Sequence, residues 1–329
     1  MSKVSSRNYA VDVFRLLGAL SVVALHVPYA DLSNSLVLGI RWWGRWAVPF
    51  FFLLSGYFFQ KNYAARGEVQ FVRTIKNLLA IYIISNLIYL VAALVEENKY
   101  FYQLLDFYTL DNGISEHLWF IGSMLFGYLI LLYLLERFSD KLLIIGSVAL
   151  YITVVLADAY SGFFHTQFDH GFIRYFVSIP FLLWGFMAAK KAEYIKRLPL
   201  VLIYILLPVS FLLQAIEIIL IYRKSGFSPH NQEFVLLTLL FAVVVFALAL
   251  KLTTNRDTIL ARFGRQYSLL IYLYHPLLNL LLFRFVDLAS LGGGYLMLRN
   301  PILSFVFCLV IFIIIDRFFP AVIRVLSGG

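Results

Sequence analysis

The sequence predicts an all-α, polytopic membrane helix bundle of about ten transmembrane helices, with the N- and C-termini both cytoplasmic. Three observations carry this. First, 62% of the 329 residues are hydrophobic and only 14% are charged, with a mean hydropathy of +0.85. A soluble domain is typically about 45–50% apolar and about 25% charged, so lipid must cover much of this surface. Second, ten stretches reach or approach the roughly 20 mostly apolar residues that a hydrocarbon core requires. Third, of the 27 lysines and arginines, 18 fall in one set of ends and loops and 7 in the other, with Arg15 and Arg174 inside spans. The richer side faces the cytoplasm, and an even number of spans then requires both termini there.

The first span, 9–28, has no small-residue cleavage site near its end and reads as a retained helix, not a removed signal peptide. The others follow at 42–60, 74–95, 117–135, 142–158, 172–189, 199–221, 234–250, 266–286 and 301–323, separated by polar or charged breaks. They are apolar all round, as helices facing lipid and one another must be. Pro49, Pro180 and Pro276 interrupt them without symmetry, and no internal repeat or Gly/Ser linker appears. A single membrane domain over 1–329, with no soluble domain, is expected. The loop 96–116 carries Glu96, Glu97, Asp106, Asp111 and Glu116 against Lys99 and is placed outside. The formal charge of +9 reflects this topology and does not point to a nucleic-acid partner. Cys308 is the only cysteine, which excludes an intrachain disulfide and a cysteine-ligated metal.

Ionisable groups inside spans are expensive, roughly 2.5–3.5 kcal/mol at a helix centre. The first span holds Asp12, Arg15 and His26. Asp12 and Arg15, three apart, are neighbours on one helix face. Arg15 and His26, eleven apart, return to the same face after three turns, about 16 Å along the axis. Such a stripe faces a wet interior, or else Asp12 and Arg15 snorkel at one interface with His26 near the other. His117 opens the fourth span, and His275 lies near the middle of the ninth, before Pro276. Histidines there handle protons near neutral pH, or form helix-to-helix hydrogen bonds. No HExxH, GxSxG, phosphate loop or dinucleotide fingerprint is present, and no metal is expected.

These residues resemble the membrane-bound acyltransferases of the acyltransferase-3 type. The Arg, ten residues, His spacing of that family is matched by Arg15 and His26, with an acidic Asp12 three before the Arg. The family's FFxLSGY-like second span is matched by Phe51-Phe52-Leu53-Leu54-Ser55-Gly56-Tyr57. His117-Leu118-Trp119-Phe120 and the run Ser268 to His275 resemble further family patterns. The resemblance implies transfer of an acetyl or other short acyl group from cytoplasmic acyl-CoA to a hydroxyl of an envelope glycan or related outer acceptor. It implies His26, Arg15, Asp12, His117 and His275 as catalytic candidates. Arg73, Lys76, Arg262 and Arg265 are candidates for the donor's phosphates, and Arg45, Ser55, Tyr57 and Trp119 for the acceptor. Ser55-Gly56 also reads as a close helix crossing, and the tryptophans Trp42, Trp43, Trp46 and Trp119 as an interfacial belt.

The wordings RWAVPFFFLLSGYFF (45–59), DAYSGFF (158–164) and YLYHP (272–276) are similar to the membrane domain of vancomycin-resistance-type serine racemases. In that subgroup a soluble racemase domain follows a membrane part thought to move serine. No racemase domain is expected here, and a carrier of a small amino acid is the alternative to an acyltransferase.

Overall fold

The structure, a computed structural model, describes residues 7–27, 35–96, 113–164, 170–254, 256–285 and 296–328. Pro28 and residues 97–112 of the acidic loop lie outside them. All regular structure among the described residues is helical. The chain runs α1 (Tyr9–His26), α2 (Ser35–Gly44), α3 (Ala47–Arg66), α4 (Glu68–Glu96), a 3-10 turn (Glu116–Leu118), α5 (Trp119–Arg137) and α6 (Asp140–Ala157). It continues through α7 (His170–Lys190), α8 (Ala192–Arg197), α9 (Leu200–Ser225), α10 (Leu236–Lys251), α11 (Ile259–Phe285), α12 (Leu296–Phe318) and α13 (Pro320–Leu326).

Among the described residues, nine of the ten apolar segments each fall mainly on a single helix. Among the described residues, six stretches are long and apolar enough to cross a membrane: Tyr9–His26, Glu68–Val95, Glu116–Arg137, Asp140–Ala157, Leu200–Ser225 and Asn300–Phe318. Leu236–Lys251 is apolar but shorter. The segment at 42–60 is not one helix. Trp42 and Trp43 end α2, Arg45 and Trp46 form a turn, and α3 starts at Ala47. Pro180 and Pro276 do not break their apolar segments, because α7 and α11 run through them.

The ends of α1 are set locally. Asn8 caps the start, its side-chain oxygen accepting from Ala10 N at 3.1 Å, while its Nδ2 donates to the carbonyls of Ala249 and Leu250. At the other end Val27 is extended, with φ −69° and ψ 144°, as a residue before proline must be.

The packing divides into two compact units. The first is drawn from Met1–Phe51, Lys191–Ala215 and Leu237–Phe312. Its main pairing is α1 on α11, made possible by Gly264: a methyl there would sit 1.8 Å from the Asp12 carbonyl oxygen. Gly44 likewise lets α2 approach α1, its would-be methyl 3.0 Å from Ser21 O. An apolar cluster of Ile203, Val244 and Leu248, with Phe14 and Leu240, fills the space between α1, α9 and α10.

The second unit is drawn from Phe52–Lys190, Ile216–Leu236 and Ile313–Gly329. Its helices α3, α5 and α7 meet through small residues, as expected where lipid competes for larger apolar groups. A methyl on Gly56 would lie 2.0 Å from Leu182 O, and one on Gly185 1.9 Å from Leu53 O. Gly127 faces Ser178, whose hydroxyl donates to Ser123 O at 2.6 Å, and Ser123 Oγ donates to Arg174 O at 2.9 Å. Trp184 Nε1 donates to Ser147 Oγ at 2.9 Å, tying α7 to α6.

Candidate active site

Two polar clusters sit at opposite ends of α1 in the first unit. At the N-terminal end the Asp12 carboxylate, 3% exposed, is approached by three guanidiniums. Arg7 Nε reaches Oδ2 at 2.9 Å and its Nη2 reaches Oδ1 at 3.2 Å; Arg15 Nη1 lies 3.3 Å from Oδ1, and Arg265 Nη1 3.7 Å from Oδ2. Arg265 also pairs with Asp257 at 3.2 and 3.3 Å. Gly264 is what makes this cluster: the backbone crossing at Asp12 brings the neighbouring Arg265 into reach. Three arginines against two aspartates leave one net positive charge, and the arginines are partly exposed. The Asp257 carboxyl lies below its ordinary range because Arg265 hydrogen-bonds it. That pairing holds above the ordinary carboxylate range and is lost as pH falls through the depressed value.

Asp12 therefore organises a cationic surface that would otherwise repel itself. Asp12→Asn removes the charge at nearly constant volume and leaves three guanidiniums around a neutral amide. The variant is expected to lose about 1–3 kcal/mol of stability, below the value for a fully buried pair because the arginines are part-solvated. Thermal unfolding in detergent measures this, and an unchanged midpoint would contradict the organising role.

At the C-terminal end of α1, the His26 and His275 rings lie 5.3 Å apart, tilted by 47°. His26 is exposed and His275 fully buried. The tautomer of His275 follows from its surroundings. Its Nδ1 lies 2.9 Å from Tyr272 O and 3.1 Å from Ile271 O. Carbonyl oxygens only accept, so Nδ1 carries a proton, and in the neutral ring Nε2 carries the lone pair. Pro276 explains the geometry. In a helix the amide at 276 would donate to the carbonyl four residues back, at Tyr272, but proline has no N–H. The His275 imidazole answers the carbonyl that Pro276 leaves open.

The other candidates occupy separate places. Arg45 is buried in the first unit at the turn between α2 and α3. Arg73 and Lys76 are exposed on α4 of the second unit. In that unit Ser55 hydrogen-bonds the Tyr128 side chain, and Tyr57 is buried with Lys61 Nζ 4.7 Å above its ring. His117 is buried, 3.0 Å from Ser115 Oγ and edge-on to Tyr89 at 5.1 Å. Trp119 lies under the Arg174 guanidinium at 5.6 Å. Arg174 also binds Glu233 through Nε at 2.9 Å and through Nη2, and Glu116 through Nη1 at 3.0 Å. The structure thus brings together Asp12, Arg15 and Arg265, and separately His26 and His275.

Sequence reasoning missed Arg7 and Asp257 as members of the first cluster, and missed the partners of Arg174. Arg174, read from the sequence as lying inside a span, was itself the signal, since such a charge demands counter-charges; spacing does not say that they come from Glu116 and Glu233.

The acyltransferase domain family (Acyl_transf_3) matches residues 8–315. The chain is similar to a serine/alanine racemase of Enterococcus gallinarum, 27% identical over 299 residues, covering 82% of this chain and 40% of that protein. It is also similar to an amino-acid racemase of Enterococcus faecalis, 25% identical over 330 residues, covering 92% of this chain and 45% of that protein. The chain spans less than half the length of these curated relatives. No solved structure matches.

Proposed function

This chain belongs to the acyltransferase-3 family of membrane proteins, and we propose from that premise that it is a membrane O-acyltransferase. It takes an acetyl or other short acyl group from cytoplasmic acyl-CoA and places it on a hydroxyl of an envelope glycan or lipid-linked acceptor outside a bacterial plasma membrane. The observation that carries this reading is the polarity of α1: an arginine cluster at one end and a histidine pair at the other. The partly exposed Arg7, Arg15 and Arg265 supply charge-assisted hydrogen bonds for the donor's phosphates. The donor's extended arm then follows α1 toward His26.

The acceptor hydroxyl attacks the thioester carbonyl, and His26 takes the hydroxyl proton as the new C–O bond forms. The C–S bond breaks, and the thiolate leaves as free CoA thiol, taking the proton back from His26. His275 is a positioning residue. Its Nδ1–H is held by Tyr272 and Ile271 carbonyls, so Nε2 is the nitrogen of that ring able to accept a hydrogen bond.

Donor sidedness tests the reading. Inside-out vesicles are expected to consume added acetyl-CoA, and sealed right-side-out vesicles are not. Equal consumption in both orientations would sink it. A second reading is a carrier of a small amino acid, the substrate class that the names of the two racemase relatives share. Uptake of labelled serine without any thiol release from acetyl-CoA selects it.

A further inference from the structure

The seam between α11 and α12, within the first unit, carries polar groups beyond the histidine pair. Along α12, Asn300, Ser304, Cys308 and Phe312 recur every four residues and are all buried, whereas Ile302, Val306 and Val310 are exposed. The first set is therefore one inward stripe. Two contacts fix what it faces. Ser304 Oγ donates to Asn279 Oδ1, and the Phe312 ring lies 6.3 Å from that of Tyr274. As α12 advances from 304 to 312, α11 retreats from 279 to 274, so the two helices are antiparallel.

The order along α11 is then functional. Gly264 and Arg265 lie at the arginine cluster, His275 at the histidine pair, and Asn279 one turn beyond on the face of His275. Because α12 runs back, Asn300 is a further turn beyond Ser304. At 1.5 Å per residue, Asn279 and Asn300 stand about 6 and about 12 Å past His275 along the axis. Asparagine and serine inside apolar helices act as glue when they pair with each other, as Asn279 and Ser304 do. Asn300 does not close in this way. It is 9% exposed, and its Oδ1 is buried without a hydrogen-bond partner among the described residues. Buried polar groups are almost always satisfied, and an amide oxygen only accepts. What this oxygen lacks is a donor from outside the chain, which an ionised carboxylate or phosphate group does not supply.

We propose that this seam is the acceptor subsite, and that Asn300 Oδ1 receives a hydroxyl hydrogen from a glycan longer than one sugar unit. The donor's arm reaches the histidines from the arginine end, so a group held beyond them belongs to the other substrate. The reacting hydroxyl sits at the histidine pair and the recognised one about 12 Å further along, past the span of one pyranose ring or of a free amino acid. This rests on the acyltransferase reading for the chemistry but not for the binding.

The test is thermal unfolding of the purified protein in a polyoxyethylene detergent, so that no sugar headgroup competes. The probes are maltose, N,N′-diacetylchitobiose, D-glucose and L-serine. At least one of the two disaccharides is expected to raise the unfolding midpoint at concentrations where D-glucose and L-serine do not. Asn300→Leu keeps the volume but loses the acceptor, and is expected to weaken the apparent Kd of that disaccharide roughly three- to tenfold, the usual worth of a neutral hydrogen bond. Asn300→Ala, too small to clash, is expected to do the same. Ser210→Ala, whose hydroxyl bonds only within its own helix at Leu207 O, leaves the Kd unchanged. Stabilisation by D-glucose or L-serine equal to that by the disaccharides, no stabilisation by any of the four, or a Kd indifferent to both Asn300 variants, overturns the proposal. Thiol release from acetyl-CoA separates the two readings. Disaccharide-dependent stabilisation without thiol release upholds the subsite and removes the transferase. Thiol release alongside a Kd indifferent to Asn300 removes only the subsite.

Discussion

His26→Ala is expected to abolish acyl transfer, with a loss in the range of about 10²–10⁴ for a general base, while the protein still extracts from the membrane as a folded species. The residue is exposed at the end of α1, so its removal costs the core little packing. His275→Ala is expected to cost less activity, because its ring acts through His26 and not on the acceptor. The link between the two is tested by Pro276→Ala. The new amide at 276 competes for the Tyr272 carbonyl that His275 Nδ1 now serves, which loosens the tautomer and lowers the rate severalfold. Thiol release from acetyl-CoA at saturating acceptor measures all three. Intact transfer in His26→Ala overturns the role of His26 as the general base.

Gly185→Ala and Gly56→Ala are expected to produce large losses of stability. Each added methyl would lie about 2 Å from a backbone carbonyl oxygen, at Leu53 and Leu182 respectively. Overpacking a core usually costs about 1–3 kcal/mol, when side chains can turn aside. Backbone cannot, so α3 and α7 must separate, and each substitution is expected to cost about 3 kcal/mol or more. Gly146→Ala is the control. Nothing lies within 4 Å of its would-be methyl, and Gly in mid-helix is about 0.5–1 kcal/mol worse than Ala, so that variant is expected to be slightly stabilised. Thermal unfolding in detergent ranks the three; an unfolding midpoint for Gly185→Ala as high as for Gly146→Ala contradicts the backbone crossing.

The positions of the helices were legible because apolar length and charge spacing are local properties. The pairing of Asp12 with Arg15 was legible for the same reason: residues three apart on a helix share a face. The close-crossing role of Ser55-Gly56 was also legible, since only a residue without a side chain lets two backbones meet. The break between α2 and α3 was not. Trp42 to Phe52 is apolar except at Gly44 and Arg45, and apolarity alone does not distinguish a helix from a tight turn packed by aromatic rings. The proline positions misled in a similar way. Pro180 and Pro276 remove one helical hydrogen bond each, and at Pro276 a neighbouring side chain compensates.

By itself the sequence determined an all-helical chain, apolar enough for lipid, whose first span carries an Asp–Arg–His stripe. Composition and periodicity suffice for that, because they act within one helix at a time. Only the tertiary structure decided which distant groups answer those charges: Arg7, Arg265 and Asp257 around Asp12, Glu116 and Glu233 around Arg174, and His275 beside His26. A buried charge states that it needs a partner, but the partner is chosen by which backbones can approach. Here Gly264 makes that choice, bringing α11 against α1 at Asp12 and setting Arg265 beside the carboxylate.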